Sequence, residues 1–242
     1  MKCISKTLLL VLTLTLSLSA FASNQSADYY RIEISKMTKQ GHRPLTSYTQ
    51  ARKYIMQRVH LSQDHNGYFV EDVYCHITFR SKVGPNRMPS HNDVNIEHTW
   101  PQSRFNRSQS KSFQKSDLHH LYPTQSRANS TRGNVIFQEL SAQSATPVNG
   151  CAESLAGYSS NGHRGFEPPE DHKGNVARAL FYFSMRYDIS ISYDEEVILR
   201  AWNNNDPVDA HEMKRNNIIE EIQGNRNPFI DDPELADLVS DF

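Results

Sequence analysis

Glu97-His98-Thr99-Trp100-Pro101 and Asp117-Leu118-His119-His120-Leu121-Tyr122-Pro123, with Asn129 and Arg132-Gly133-Asn134 after them, form the stretch on which the reading of this chain turns. Short segments around Val94–Glu97 and Asp117–Tyr122 read as strands. Trp100-Pro101 ends the first of them, because the residue before a proline is pushed out of regular helix and toward extended backbone. A strand over Asp117–Tyr122 would put Asp117, His119 and Leu121 on one side and Leu118, His120 and Tyr122 on the other. His119 and His120 then cannot share a site, whereas Glu97 and His98 can both be presented where their strand ends.

These residue types suit phosphodiester hydrolysis. A base must activate water, a cation must offset charge on the transition-state phosphate and leaving oxygen, and further cations must hold the substrate. Histidine matches the first task near neutral pH. Carboxylate and amide oxygens match a hard ion such as Mg²⁺, which keeps several waters and takes few protein ligands. His98 is the candidate base and Glu97 and Asn129 the candidate ligands. Arg104, Arg127 and Arg132 offer guanidinium forks to phosphate. Asp117 and His119 are expected to orient ligands or hold the strand rather than touch metal. Asn129-Ser130-Thr131 is also a glycosylation sequon, which would compete with ligation if occupied.

Outward from this stretch, Asp28 to Gln40 and Ser47 to His60 look helical, with Ser47 as N-cap and Tyr48, Ala51, Ile55 and Val59 at helical spacing. Val70 to Phe79 alternates like a single strand. Ser81 to Asn92 and Ser103 to Lys115 read as loops. The C-terminal half reads as helical. Val176 to Tyr187 is apolar nearly all round, so Phe181-Tyr182-Phe183 belongs to the core. Asp194 to Trp202 follows, and Asp206-Pro207 is expected to start a last helix that Gly224 stops after Gln223. No repeat or dividing linker is visible. The fold class is therefore α+β, one domain with a helical majority and a small strand insert.

Composition is that of a globular protein, with 242 residues, 37% hydrophobic and 22% charged. The formal net charge of -1 argues against bulk electrostatic binding of nucleic acid. Its distribution says otherwise. His76 to Phe137 carries nine bases (Arg80, Lys82, Arg87, Arg104, Arg107, Lys111, Lys115, Arg127, Arg132) against Asp93, Glu97 and Asp117, a net of +6. Asp188 to Phe242 carries fourteen acids against four bases, and these helices are expected to lie away from the cleft.

Residues 1–22 read as a secretory signal: Lys2 and Lys6, an uncharged run from Thr7 to Phe21, and Ala20-Phe21-Ala22. Its removal leaves 23–242 as the mature domain, with no membrane span. Cys75 and Cys151 remain and can form at most one disulfide, although spacing alone does not decide whether they pair.

The run from Glu97 to Asn134, the segment Pro168-Pro169 to Tyr187, and Gln223-Gly224-Asn225-Arg226-Asn227-Pro228-Phe229 together closely resemble the bacterial endonuclease I family of secreted or periplasmic nucleases. That resemblance implies a ββα-metal (His-Me finger) motif embedded in helices, with His98 as general base and a single Mg²⁺ on Glu97 and Asn129; Mn²⁺ or Ca²⁺ could take its place. It implies non-specific cleavage of DNA, often RNA as well, leaving 5′-phosphate ends, by a monomer holding its substrate through phosphates. His120 stands where relatives commonly carry Asn. Two other readings stay open: an enzyme acting chiefly on RNA, and a non-catalytic nucleic-acid binding or uptake protein.

Overall fold

A computed structural model describes residues 29–242, so the signal-peptide reading lies outside the described residues. The chain begins with helix α1 (29–39), which buries Ile34 and Thr38. Helix α2 (Tyr48–Tyr54) starts where expected, Ser47 accepting a hydrogen bond from the Gln50 amide at 3.4 Å. It runs into a single π-helical turn, Ile55–Val59, which keeps Ile55, Met56 and Val59 buried.

The expected single strand Val70–Phe79 is in fact the end of one strand, a turn, and the edge strand of a three-stranded antiparallel sheet. Its members are β1 (Ser62–Asp64), β2 (Gly67–Glu71) and β3 (Thr78–Phe79), in that order. Asp72 breaks the alternation. Its carboxylate accepts from the amides of Tyr74, Cys75 and Ile77, and His76 turns the chain at a φ of 51°. Cys75, in that turn, is bonded to Cys151 across a sequence separation of 76. In the chain-entropy picture a closed loop of that length contributes about 4 kcal/mol.

Strands β4 (Val94–His98) and β5 (Leu121–Gln125) pair antiparallel, with His98 opposite Leu121 and Glu97 opposite Tyr122. The connection is less loop-like than its composition suggests. It holds a 3₁₀ turn at Gln102–Arg104, helix α3 (Lys111–Ser116) capped by Ser110, and a second 3₁₀ turn at Leu118–His120. The expected strand over Asp117–Tyr122 is thus corrected. Asp117 caps that turn through the His119 amide, and extended backbone begins only at Leu121. Helix α4 (Ser126–Arg132) follows β5 at once and packs on both strands.

A second sheet has the order β6-β9-β8-β7, from β6 (Ile136–Phe137), β7 (Thr146–Val148), β8 (Cys151–Tyr158) and β9 (Arg164–Glu167). None of these strands is expected from the sequence. The helical half follows as α5 (Lys173–Tyr187), α6 (Tyr193–Asn205), α7 (Ala210–Gln223), α8 (Pro228–Asp231) and α9 (Leu235–Leu238). Asp209, not Asp206, caps α7, accepting from the Glu212 amide at 2.7 Å. Asp206 instead accepts from the Gly174 amide at the start of α5. Gly224 ends α7 at a φ of 81°, and its backbone crosses that of Gly41 so closely that a Cβ on either would collide with the other's carbonyl.

α5 is the central helix. Phe181, Tyr182 and Phe183 are fully buried, and Phe183 stacks on Trp100 at 5.3 Å. A second core joins α2 and its π turn to β2, β4, β5 and α7 through Ile55, Val70, Val94, Leu121 and Ile219. The β4–β5 pair gives Val94, Ile96 and Leu121 to this second core, while Trp100, just past the end of β4, belongs to the first.

Candidate active site

β4 brings Glu97 and His98 to its last two positions, and α4 brings Asn129 against the same strand. All three line one cleft of about 370 Å³ together with Tyr48, Asn95 and Lys115. Lining comes from α2, β4, the 3₁₀ turn at Gln102–Arg104, α3, α4 and the Gly133-Asn134 turn after it. None comes from the acidic segment 188–242.

His98 is held by its ring Nε2, 3.1 Å from the Lys115 carbonyl oxygen. A carbonyl can only accept, so Nε2 carries the proton and Nδ1 keeps its lone pair. The ring lies 5.3 Å from that of Tyr48 and 5.4 Å from that of His120. Burial, and then the neighbouring His120, lower its pKa to about 3, so the imidazole is neutral and able to accept a proton throughout the physiological range.

Glu97 is 2% exposed. Its Oε1 receives the Tyr74 hydroxyl at 3.0 Å and the Arg132 guanidinium at 3.0 Å. Burial raises its pKa, while Arg132 and the tyrosine bond pull the other way. Oε2 receives no hydrogen bond among the described residues. The Asn129 amide nitrogen donates to the Ile96 carbonyl at 3.1 Å, which commits the nitrogen to the backbone and turns Oδ1 free. One carboxylate oxygen and one amide oxygen, both uncommitted on one cleft, form the hard donor set that a Mg²⁺ ion with several waters accepts. No group of three or more His, Cys, Asp or Glu is arranged for a metal among the described residues.

The three arginines part company. Arg132 lines the cleft but is 1% exposed, and besides Glu97 it holds the His98 and Thr99 carbonyls at 3.1 and 2.6 Å. It neutralises Glu97 and pins the end of β4. Arg104 lies outside the cleft lining, paired with the buried Glu195 of α6 at 2.8 Å and stacked 4.6 Å over Trp100. One acidic helix thus reaches into the basic block to engage it. Arg127 projects from the exposed side of α4 with its guanidinium unpaired among the described residues.

Asp117 and His119 are elsewhere. Asp117 accepts from the hydroxyls of Tyr182 and Tyr187 at 2.9 and 2.8 Å and from the Gln223 amide at 2.9 Å. His119 sets its Nε2 on the Asn225 carbonyl at 3.1 Å. Neither touches Glu97, His98 or Asn129; they tie the β4–β5 connection to α5 and to the Gly224–Asn227 turn. Tyr48 and Lys115, whose ammonium lies 4.7 Å over the Tyr48 ring, border His98 and were not singled out from sequence. Tyr48 sits on the repeating apolar face of a helix, and Lys115 in a polar stretch. Nothing local distinguishes either.

Known proteins carry similar sequence. An extracellular ribonuclease of Bacillus subtilis (strain 168) is 39% identical over 61% of this chain and 54% of its own length. An extracellular deoxyribonuclease of Aeromonas hydrophila is 30% identical over 48% of each. Endonuclease-1 of Buchnera aphidicola subsp. Baizongia pistaciae is 27% identical over 57% of this chain and 62% of its own. The aligned regions thus span about half the length of these relatives. A model of the family described as Endonuclease I matches residues 22–234, nearly the whole sequence, and this chain therefore belongs to the Endonuclease I family.

Proposed function

We propose that this protein is an exported, Mg²⁺-dependent, sequence-non-specific endonuclease that hydrolyses DNA, and RNA as well, to leave 5′-phosphate ends. The observation that carries the reading is the His98 imidazole, fixed through Nε2 by a backbone carbonyl, with Nδ1 on the same cleft as the free oxygens of Glu97 and Asn129. β4, β5 and α4 serve as the ββα-metal unit. Nδ1 of His98 takes the proton of the attacking water. Glu97 and Asn129 would hold the ion, which when bound supplies Lewis-acid stabilisation of charge on the phosphate and the leaving 3′-oxygen. Arg132 offsets the Glu97 charge from behind, and Lys115 and Arg127 grip neighbouring phosphates. Contacts of this kind read the backbone and not the bases, so cleavage is indifferent to sequence and weakens steeply with salt.

Relatives named as extracellular and periplasmic nucleases support export, as does the signal-like start of the sequence. No helix among the described residues is long and apolar enough to cross a membrane. The ribonuclease name of the Bacillus subtilis relative favours, as a second reading, action chiefly on RNA. Matched digestion of duplex DNA and structured RNA separates the two. The primary test is His98→Ala in a plasmid-nicking assay, with a loss of about 10²- to 10⁴-fold expected. Unimpaired cleavage would sink the mechanism, and full activity in excess EDTA would remove the metal.

A further inference from the structure

A base must present its lone pair in one direction, and the hydrogen bonding of His98 does not secure this alone. Nε2 meets the Lys115 carbonyl at 3.1 Å, and this is the ring's one hydrogen bond among the described residues. Rotation of a histidine ring about its last side-chain bond is broad and roughly two-fold. One bond at Nε2 therefore limits the ring without fixing its plane. The direction of the Nδ1 lone pair depends on the rings packed around it.

Three rings meet the imidazole, and they differ in what holds them. His120 lies at 5.4 Å and 68°, and Phe105 at 6.5 Å and 62°. Both pack on Phe183 of α5, at 4.3 and 5.6 Å, and so are continuous with the first core. Tyr48 lies at 5.3 Å and 31°, the closest to parallel of the three. It packs against the second core as the first residue of α2, behind the Ser47 cap. Ala51 and Ile55, one and two turns further along that helix, are fully buried and anchor it. Tyr48 itself is only half-buried and lines the cleft. Lys115 closes the frame. Its carbonyl holds Nε2 and its ammonium lies 4.7 Å over the Tyr48 ring, so lysine, tyrosine and histidine each meet the other two.

We infer that Tyr48 is a positioning residue for the reaction: its ring holds the His98 imidazole in the plane that keeps Nδ1 on the cleft. The inference rests on the nuclease reading, with His98 as the base. Tyr48 acts through His98 and takes no part in the proton transfer itself. A reacting group misplaced by about 1 Å can cost on the order of 10²-fold in rate, and packing that locks the side chain prevents that loss. Both contacts are made by the ring of Tyr48 and not by its hydroxyl.

Steady-state cleavage of a fluorogenic oligonucleotide by the full protein in Mg²⁺ gives kcat and KM separately, with melting temperature measured on the same samples. Tyr48→Ala should lower kcat about 10- to 10²-fold and change KM much less. Tyr48→Phe should recover most of the rate. If Tyr48→Ala melts well below the parent protein, Tyr48→Leu, which keeps bulk without a flat ring, replaces it with the same expectation. Lys115→Met keeps the carbonyl and removes the ammonium; it should raise KM and retain far more kcat than Tyr48→Ala. Long-range ¹H–¹⁵N spectra in EDTA supply a readout apart from activity: His98 should show one tautomer, protonated at Nε2, in the parent and a mixture in Tyr48→Ala. A parent-like kcat in folded Tyr48→Ala, beside an inactive His98→Ala, would overturn the inference and leave the nuclease reading standing. So would Tyr48→Phe as slow as Tyr48→Ala, or Lys115→Met reproducing the whole kcat loss. His98→Ala cutting at the parent rate would remove the reading and the inference together.

Discussion

Glu97 and Asp117 are both buried carboxylates that accept a tyrosine hydroxyl, and they differ in what remains. On Glu97, Tyr74 and Arg132 share Oε1. On Asp117, Tyr182 and Tyr187 take Oδ2 while Gln223 and the His119 amide take Oδ1. The histidines beside them repeat the contrast. His98 and His119 each set Nε2 3.1 Å from a backbone carbonyl, and burial lowers each to about 3. Yet His119 Nδ1 is sealed inside the protein, whereas His98 borders the cleft. Two near-identical residue sets therefore divide into an edge with free bonding capacity on the cleft, which we propose is the reactive one, and a structural anchor; the division rests on leftover bonding capacity and access, not on residue type or pKa.

That contrast can be broken in order of size. Glu97 belongs to both categories, so Glu97→Ala should cost the most: about 3 kcal/mol of stability from leaving Arg132 buried without its partner, together with loss of cleavage. Chemical denaturation and nicking on the same sample check both. A stability change near zero would mean that Arg132 finds another counter-charge. Asp117→Asn should cost about 2 kcal/mol, since an amide nitrogen would face groups that now donate. Cleavage per folded molecule should be unchanged, and a lowered rate would place Asp117 in the chemistry.

Acid should act through the buried histidines on both sides of the contrast. His98, His119 and His172 are lowered to about 3 and His120 to about 4, from 6.5. The unfolded chain therefore binds protons first, and stability should fall progressively as pH drops below about 6.5. Burial alone would raise the Asp117 carboxyl. Its histidine neighbours and the Gln223 bond outweigh that and hold it well below the usual 3.8, which adds a further loss as pH falls under that value. Denaturation midpoints from pH 7 to 4 check the sign; a flat profile would contradict the buried neutral histidines. The smallest effect belongs to Arg127→Ala, a few-fold at low salt with the logarithmic salt slope reduced by about 1. A rate insensitive to Arg127 would leave Lys115 as the phosphate grip.

Much of the proposed reactive edge was legible because it is local. Glu97 and His98 are adjacent at a strand end, and Asn129 lies one helix turn beyond the paired strand. Helix punctuation at Ser47 and Gly224 was legible for the same reason. The anchor was not, because it is built from Tyr182, Tyr187 and Gln223, all remote in sequence. The alternation of Val73, Cys75, Ile77 and Phe79 concealed a turn whose cause is the Asp72 side chain. The sheet from Ile136 to Glu167 escaped because its strands are short or carry Gly and Pro. The partners of Arg104 and Arg132 were not legible either, because Glu195 in one case, and Glu97 with the His98 and Thr99 carbonyls in the other, meet the guanidinium only through tertiary contact.

The most direct test sets His98→Ala beside His119→Ala, with nicking rate and melting temperature measured for each. His98→Ala should lose about 10²- to 10⁴-fold in rate and melt near the parent protein. His119→Ala should melt lower and cut normally per folded molecule. A His98→Ala protein that is folded and cuts at the parent rate would contradict the assignment of the reactive edge.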